Sequence, residues 1–319
     1  MTAISEGETV LALDLGGTKL LIGEVDGEGR ILSSKRYPSG PLTQRQAVDL
    51  IYASLDDYLE TTDLIGREPA AMGVGLVGLV EAAAGRWLMI DPGRKEEIPL
   101  AGLLEQRYGY PCRIENDVKA VALAEQRFGS CKEVEDFIYI NIGTGIAAGI
   151  VAGGRLLRGW QNDSGEVGHM TVDYTGNTPC VCGRFGCAEA IASGGGMDRR
   201  LRLLGQRYPD SPLLTLAAKG FVPAEQLFAQ AEAGDPLAAK IVTDAADAAA
   251  ELILNLVRVS NPELVVLGGG VADSAWMRRE LPKRLKLPVM ESVRRGLTFT
   301  TLNPASAGLI GAAAVALKG

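Results

Sequence analysis

The single histidine of this 319-residue chain, His169, is followed by Cys180, Cys182 and Cys187. The spacing His-x10-Cys-x-Cys-x4-Cys supplies three thiols and one imidazole, the donor set of a closed tetrahedral structural zinc site. Gly183 and Gly186 permit the tight turns such a knuckle needs. A group of buried free thiols is the alternative reading, but the only histidine falls beside the only cysteine cluster, which favours a metal. Cys112 and Cys131 are scattered. Clustering in a chain of this size points to metal rather than disulfides.

Three glycine-rich turns close strand-like segments: Gly16-Gly17-Thr18, Gly143-Thr144-Gly145 and Gly268-Gly269-Gly270. Glycine lets backbone N–H groups converge on an anion with no Cβ in the way, and the first two turns add a threonine hydroxyl. One such turn is ordinarily just a turn; three in one chain, two of them related by a repeat, suggest a nucleotide cleft. No GxxxxGK[ST] loop exists, since Lys19 follows Thr18 and precedes Leu20. Gly73, Gly75 and Gly78 match GxGxxG, but Gly85 interrupts the helix that a dinucleotide fold requires, and no acidic residue stands clearly at the next strand end. Asp14 closes the first strand just before its glycines, where a carboxylate either organises Mg²⁺ beside phosphate or caps the turn. Asp117 reads as the first-turn residue of a helix, a position the helix dipole favours whatever its chemistry.

The elements that must position these residues follow from periodicity. Strands are predicted at Thr9–Asp14, Leu20–Asp26, Ile31–Tyr37, Ala70–Gly78 and Pro111–Glu115. Helices are predicted at Thr43–Leu59, around Leu103–Tyr108 and at Asp117–Phe128. The pattern then restarts, with strands at Asp136–Asn141 and Ile146–Ala152. A constant offset of 127 aligns Asp14 with Asn141, Gly16 with Gly143 and Gly27 with Gly154. Either two glycine-rich hairpins resemble each other by chance or the chain contains a duplicated α/β domain; the second reading is preferred. A polar, irregular insert spans Gly168 to Cys187. Beyond it lie a long helix at Pro236–Val259 (Ile241, Ala245, Ala248, Leu252, Leu256 and Val259 on one face), a strand at Glu263–Leu267, and helices at Trp276–Leu285 and Ser306–Leu317.

The length suits two domains or three, and the alternation of strands and helices argues an α/β class. Hydrophobic residues make up 47% and charged residues 22%, which excludes disordered and fibrous classes. A net charge of −7 with no basic run is a poor footprint for nucleic acid or an anionic membrane. No apolar run is long enough to span a bilayer, and the polar N-terminus is unlike a signal peptide, so the cytoplasm is expected.

DLGGTK from Asp14, ENDVKAVALAE from Glu115, NIGTGIAAGIVAGGRLLRG from Asn141, GEVGHM from Gly165 and CVCGRFGCAEAIASG from Cys180 together resemble the ROK family of repressors, uncharacterised reading frames and sugar kinases. VVLGGGV from Val265 and AGLIGAAAVAL from Ala307 match its later motifs. The resemblance runs from about residue 10 to the C-terminus, and its most specific part is the zinc segment. It implies an α/β chain with the duplicated actin-like (hexokinase-like, ribonuclease H-like) ATPase fold, two domains around a cleft. The expected division is 1–116 with 305–319 as the small domain and 117–304 as the large one, with the knuckle at 169–187.

The resemblance further implies Asp117 as catalytic base. Asn116, Asp117, Glu166, His169, Glu189, Gly78 and Asp91 would bind the sugar. Asp14, Gly16, Gly17, Thr18, Lys19, Gly143, Thr144 and Gly145 would serve the phosphates, and Gly268, Gly269 and Gly270 the adenosine side. His169, Cys180, Cys182 and Cys187 would hold structural Zn²⁺, the histidine through one ring nitrogen, and Mg²⁺ would accompany ATP. A hexose presents many hydroxyls, so its site needs polar groups rather than net charge, and a carboxylate within hydrogen-bond reach can take the proton of the attacking hydroxyl. Two departures stand out. The family's Gly-x-Pro-Gly reads Gly75-Leu76-Val77-Gly78, and a familiar asparagine becomes Asp91, in a loop-like context that would also suit a solvent-facing side chain.

The expected activity is therefore ATP-dependent phosphorylation of a hexose or N-acetylhexosamine, by a homodimer or homotetramer acting on small molecules rather than nucleic acid or membrane. The alternatives are a sugar-responsive regulator and a non-catalytic sugar sensor of the same family. The 13 residues before Asp14 are too few for a DNA-binding helix-turn-helix, and the intact Asp14, Asp117 and glycine turns disfavour the sensor.

Overall fold

The computed structural model describes residues 8–66, 68–91 and 93–317, the side chains of Asp91 and Arg94 excepted. The chain divides into two compact units. One runs up to Glu133 and adds Leu156–Ser164 and the segment from Thr301 on; the other comprises Val134–Arg155 and Gly165–Thr300.

The first unit contains β1 (Thr9–Leu15), β2 (Lys19–Asp26), β3 (Ile31–Pro38), α1 (Gln44–Thr61), β4 (Ala71–Leu76), β5 (Leu79–Glu81), β6 (Arg86–Asp91), β7 (Arg94–Ile98), α2 (Leu100–Tyr108), β8 (Cys112–Asn116) and α3 (Asp117–Arg127). Its main sheet has the order β3-β2-β1-β4-β8, and β5-β6-β7 form a small second sheet. β1 is antiparallel to β2 and parallel to β4, which is parallel to β8. Every β1 residue is buried, because both faces of this central strand are covered. Alternate side chains go to opposite faces. Leu11, Leu13 and Leu15 pack with Ile51 and Leu55 of α1 and Leu104 of α2, whereas Val10 and Ala12 pack with Leu309, Ala312 and Ala316 of the C-terminal helix Ala307–Ala316. That helix approaches closely because glycines face it: a Cβ on Gly73 would overlap the Ala312 carbonyl oxygen, and one on helix residue Gly311 would meet the α3 backbone at 2.9 Å. α3 thus shares its packing with the C-terminal helix, which is why the first unit runs on to Glu133 rather than ending at the expected residue 116.

The second unit contains β9 (Phe137–Ile142), β10 (Ile146–Ala152), α4 (Ala188–Ala192), α5 (Gly194–Leu204), α6 (Leu213–Ala217), α7 (Ala224–Glu232), α8 (Pro236–Ser260), β12 (Leu264–Gly268), α9 (Ala275–Arg284) and β13 (Leu297–Phe299); the two-residue β11 (Arg155–Leu156) edges its sheet. The sheet order is β11-β10-β9-β12-β13. β9 repeats β1: antiparallel to the next strand, parallel to β12, which is parallel to β13. The duplication read from the sequence is thus repeated in topology. Its offset is not constant, however. Asp14 faces Leu21 whereas Asn141 faces Ala147, because the second turn is one residue shorter, so Gly27 corresponds to Gly153 rather than Gly154.

α8 starts at the N-cap Asp235, whose carboxylate accepts from Ala238 N–H, with Pro236 in the first turn, and ends at left-handed Asn261. Its buried stripe runs from Leu237 through Ile241, Ala245 and Leu252 to Leu256. Val259, expected on that stripe, is 72% exposed in the last turn, past the edge of the core.

Candidate active site and metal centre

In the first unit the parallel strands β1, β4 and β8 deliver their C-terminal ends side by side. Asp14 stands opposite Gly75, and Gly75 opposite Glu115. A Cβ on Gly75 would lie 3.7 Å from Asp14 Oδ1 and 3.9 Å from Asp117 Cα, so this glycine separates the two carboxylate-bearing strand ends. Burial pushes the Asp14 carboxyl up to about 6, against the pull of the Lys19 ammonium. A Cβ on Gly308 would overlap the Asp14 carboxylate, so the first turn of the C-terminal helix presents bare backbone, and the positive end of its dipole, to this acid. Lys19 Nζ donates to Ala305 O at 3.0 Å.

The Gly16-Gly17-Thr18 turn is closed by Gly16 N–H donating to Lys19 O at 2.9 Å and is backed by Ser39, whose hydroxyl donates to Gly16 O. Asn116 is the N-cap of α3. Its Oδ1 accepts from Lys119 N–H at 3.1 Å and its Nδ2 donates to Gly78 O at 3.1 Å. Gly78 has φ +89°, and a Cβ there would overlap Met89 O. The expected sugar ligands Asn116 and Gly78 are therefore bonded to each other first, and the amide fixes the loop after β4. Asp117 is half-buried and its Oδ1 accepts from Val118 N–H at 2.9 Å. Asp91 ends β6, but its side chain lies outside the described residues.

Two contacts on either side of Asp117 escaped the sequence reading. Arg158 donates from Nε and Nη2 to Oε2 of the buried Glu115, at 3.0 and 2.6 Å, and Lys119 Nζ donates to Asn162 O. No local signal joins residues more than 40 positions apart, although Glu115 and Lys119 sit inside the ENDVK motif.

In the second unit Gly143 N–H donates to Gly145 O at 3.0 Å, closing its own turn as Gly16 does. Gly16 and Gly143 thus shape the two turns with their own N–H groups. The turn is held from behind. Gly194 N–H donates to Gly143 O and Gly195 N–H to Thr144 O, at 2.8 and 3.0 Å. Ser193 caps α5 through Gly196 N–H. Glu189, in the first turn of α4, accepts from Ile146 N–H through Oε2 at 2.9 Å. Of the third turn, Gly268 packs against Tyr139 and left-handed Gly269 against Ile142, while a Cβ on Gly270 would meet nothing within 4 Å. Glu166 is exposed and His169 half-buried in the short 3₁₀ turn Val167–His169.

The donor atoms of His169, Cys180, Cys182 and Cys187 all lie within 4.8 Å of one another. Cys180 Sγ is 3.5 Å from His169 Nδ1 and Cys182 Sγ 3.6 Å from Cys187 Sγ, spacings that suit four ligands around one ion. Nδ1 faces the thiols, so Nε2 remains for other contacts. The turns that close the knuckle require glycine: Gly186 (φ +70°) runs against the Asp173 carbonyl, and Gly183 has φ +85°. Burial pushes the Cys187 thiol up to about 12, so a metal bound here displaces its proton. The cluster can hold one metal ion, and zinc is the ion this donor set selects.

The ROK family model matches residues 10–319. The chain is 32% identical to the glucokinase of Thermotoga maritima over 82% of each chain. Its fold resembles a ROK family glucokinase from Streptomyces griseus in complex with glucose and AMPPNP, with TM-score 0.78, 31% identity and coverage of 98% of this chain and 100% of that one. It also resembles the ROK hexokinase of Thermus thermophilus, with TM-score 0.75, 32% identity and coverage of 97% and 98%.

Proposed function

The chain belongs to the ROK family, and from that premise we propose that it transfers the terminal phosphoryl group of ATP to a hydroxyl of a hexose or N-acetylhexosamine. The observation that carries this reading is the likeness, over nearly the whole chain, to a structure holding glucose and an ATP analogue, together with an acid at the end of β1 and another just after β8, one strand apart.

Asp117 is the general base. A sugar hydroxyl is a weak nucleophile, and a carboxylate that takes its proton as the oxygen attacks phosphorus raises the rate by ~10²–10⁴. The 115–119 contacts keep this residue in place: Asn116 caps its helix, and Glu115 and Lys119 are tied to Arg158 and Asn162. Glu166, Glu189 and the Nε2 edge of His169 are the second unit's polar groups for sugar hydroxyls. The open N–H groups of the two hairpin turns, with the Thr18 and Thr144 hydroxyls, receive phosphate oxygens, and Gly270 leaves room on the adenosine side. Mg²⁺ arriving with ATP neutralises phosphate charge, and the buried Asp14 carboxylate, above its titration point near 6, suits a cation. The metal cluster acts structurally, by fixing the segment that ends at Glu189.

The reading extends to a cytoplasmic homodimer or homotetramer. Among the described residues no helix is long and apolar enough to cross a membrane. A coupled ADP-release assay with glucose, mannose, N-acetylglucosamine and N-acetylmannosamine tests the activity. Sugar-dependent ADP release by at least one is expected; none above background hydrolysis would refute the kinase. Asp91 bears on the choice among them. A carboxylate only accepts hydrogen bonds, where an asparagine also donates. Asp91→Asn is therefore expected to move kcat/KM for glucose relative to the amino sugars by roughly 5- to 150-fold toward glucose. An unchanged rank order would remove Asp91 from the sugar site.

A further inference from the structure

The second unit carries a half-open cleft of about 640 Å³ that includes none of the turn, carboxylate or metal-donor residues assigned above. Its size falls within the usual range for small-molecule sites. Its walls differ in charge. α5 and the turn after it contribute Arg200 and Arg207. α8 contributes Asp244, Asp247 and Glu251, spaced to share one helix face, with Lys240 a turn earlier. Asn177 and Thr178, between the knuckle's histidine and its first cysteine, add neutral polar groups, and Asp173 of the same segment adds a fourth carboxylate.

Arg200 is the unusual member. It is 8% exposed, and its Nη2 donates to Asp244 Oδ2 at 2.6 Å. Its Nε and Nη1 are buried with no partner among the described residues. Buried donors of a charged group are rarely left unmatched, because each forfeits its hydration. Asp244 does not match them: it takes only Nη2 of the guanidinium, and its other oxygen accepts from Lys240 Nζ at 2.8 Å. Two donors of the guanidinium are thus left unmatched by the described protein, at the wall where Arg207 adds a second cation.

We infer that this cavity binds a small polyhydroxylated anion, a sugar phosphate or a sugar acid, with its anionic group on Arg200 and Arg207 and its hydroxyls donating to the α8 carboxylates. A bare anion would face four carboxylates, Asp173, Asp244, Asp247 and Glu251, with nothing to donate to them. A neutral sugar would supply donors but no charge to match the buried guanidinium.

The test is calorimetric titration of the full chain with glucose 6-phosphate, gluconate, the neutral polyol sorbitol and inorganic phosphate, after saturation with glucose and AMPPNP. The saturation step reports on the proposed reaction by itself, so its failure counts against that reading and leaves the cavity titration to be judged alone. Saturable binding of glucose 6-phosphate or gluconate at one site per chain is expected, and the tighter of the two identifies the anion. Arg200→Gln and Arg207→Gln should each weaken it tenfold or more while glucose and AMPPNP bind as before. Arg207 is exposed, so its variant serves even if Arg200→Gln, which breaks a buried ion pair, fails to fold. Absence of saturable binding, binding unchanged in both variants, or equally tight binding of sorbitol or phosphate alone would overturn the inference.

Discussion

Asp14 and Asp117 stand at the ends of strands β1 and β8 with only Gly75 between them, yet they face opposite demands. Asp117, the proposed base, is half-buried at the start of a helix. Asp117→Asn keeps the shape and removes the proton acceptor. Steady-state kinetics should show kcat lower by on the order of 10²–10⁴ with sugar affinity retained, and near-normal turnover would place the base elsewhere. Asp14 is buried, and its carboxyl titrates near 6 instead of near 3.8. The folded protein thus holds this proton more tightly than the unfolded chain does. The resulting stabilisation is full below about pH 4 and is lost as pH rises through 6, so the ionised carboxylate costs about 3 kcal/mol at neutral pH. In chelator, Asp14→Asn should melt several degrees above the parent at pH 7.5, and the gap should close near pH 4. An equal gap at both pH values would mean that burial of the charge is not the cause. A residue retained against such a cost suits a cation-handling role, which the asparagine would abolish.

At the scale of elements, the sequence was most readable where burial is periodic. β1, β2, β9 and β10 follow their apolar alternation or runs, α1 and α8 their 3.6-residue stripes, and the repeat exposed the shared hairpin. Several features carried no such signal. β5, β6 and β7 form a small sheet from a stretch in which charged residues interrupt the alternation, such as Arg94-Lys95-Glu96-Glu97. α5 opens with three glycines, poor helix formers that read as loop. They are helical because Ser193 caps them and because two of their N–H groups reach the carbonyls of the 143–145 turn, a tertiary bond invisible from local propensity. The site was legible as motifs, but the motifs did not reveal which glycine N–H groups close the turns and which stay open. Packing between elements yields a sharper prediction. Gly73→Ala drives a methyl into the Ala312 carbonyl and should lower the denaturation midpoint by the equivalent of about 1–3 kcal/mol or more. Gly27→Ala, whose Cβ meets nothing within 4 Å, is the control. Equal stability of the two would mean that the C-terminal helix does not depend on this close approach.

For the molecule as a whole, each unit has a hydrophobic core of its own, and the metal donors belong entirely to the second. Chelation should therefore be felt unevenly. Amide hydrogen exchange read by mass spectrometry should accelerate across residues 169–187 and into α4 and α5, which follow Cys187 directly, while β1 and β4 exchange as before. Equal acceleration in both units would show that they open as one. The first unit has a further property: its parts are far apart in the chain. The sheet face bearing Val10, Ala12, Val25 and Ala71 is covered by Leu309, Ala312, Ala313, Ala316 and Leu317. A ribosome that has released the chain through Thr300 has delivered all of the second unit, but only a bare-faced version of the first. The strand translated earliest must wait for residues made about three hundred codons later before its sheet is closed. Until then its apolar face is available to chaperones, proteases or other nascent chains. A stop codon just after Thr300 would yield a polypeptide with its metal donors in place and the unit of the proposed base unfinished.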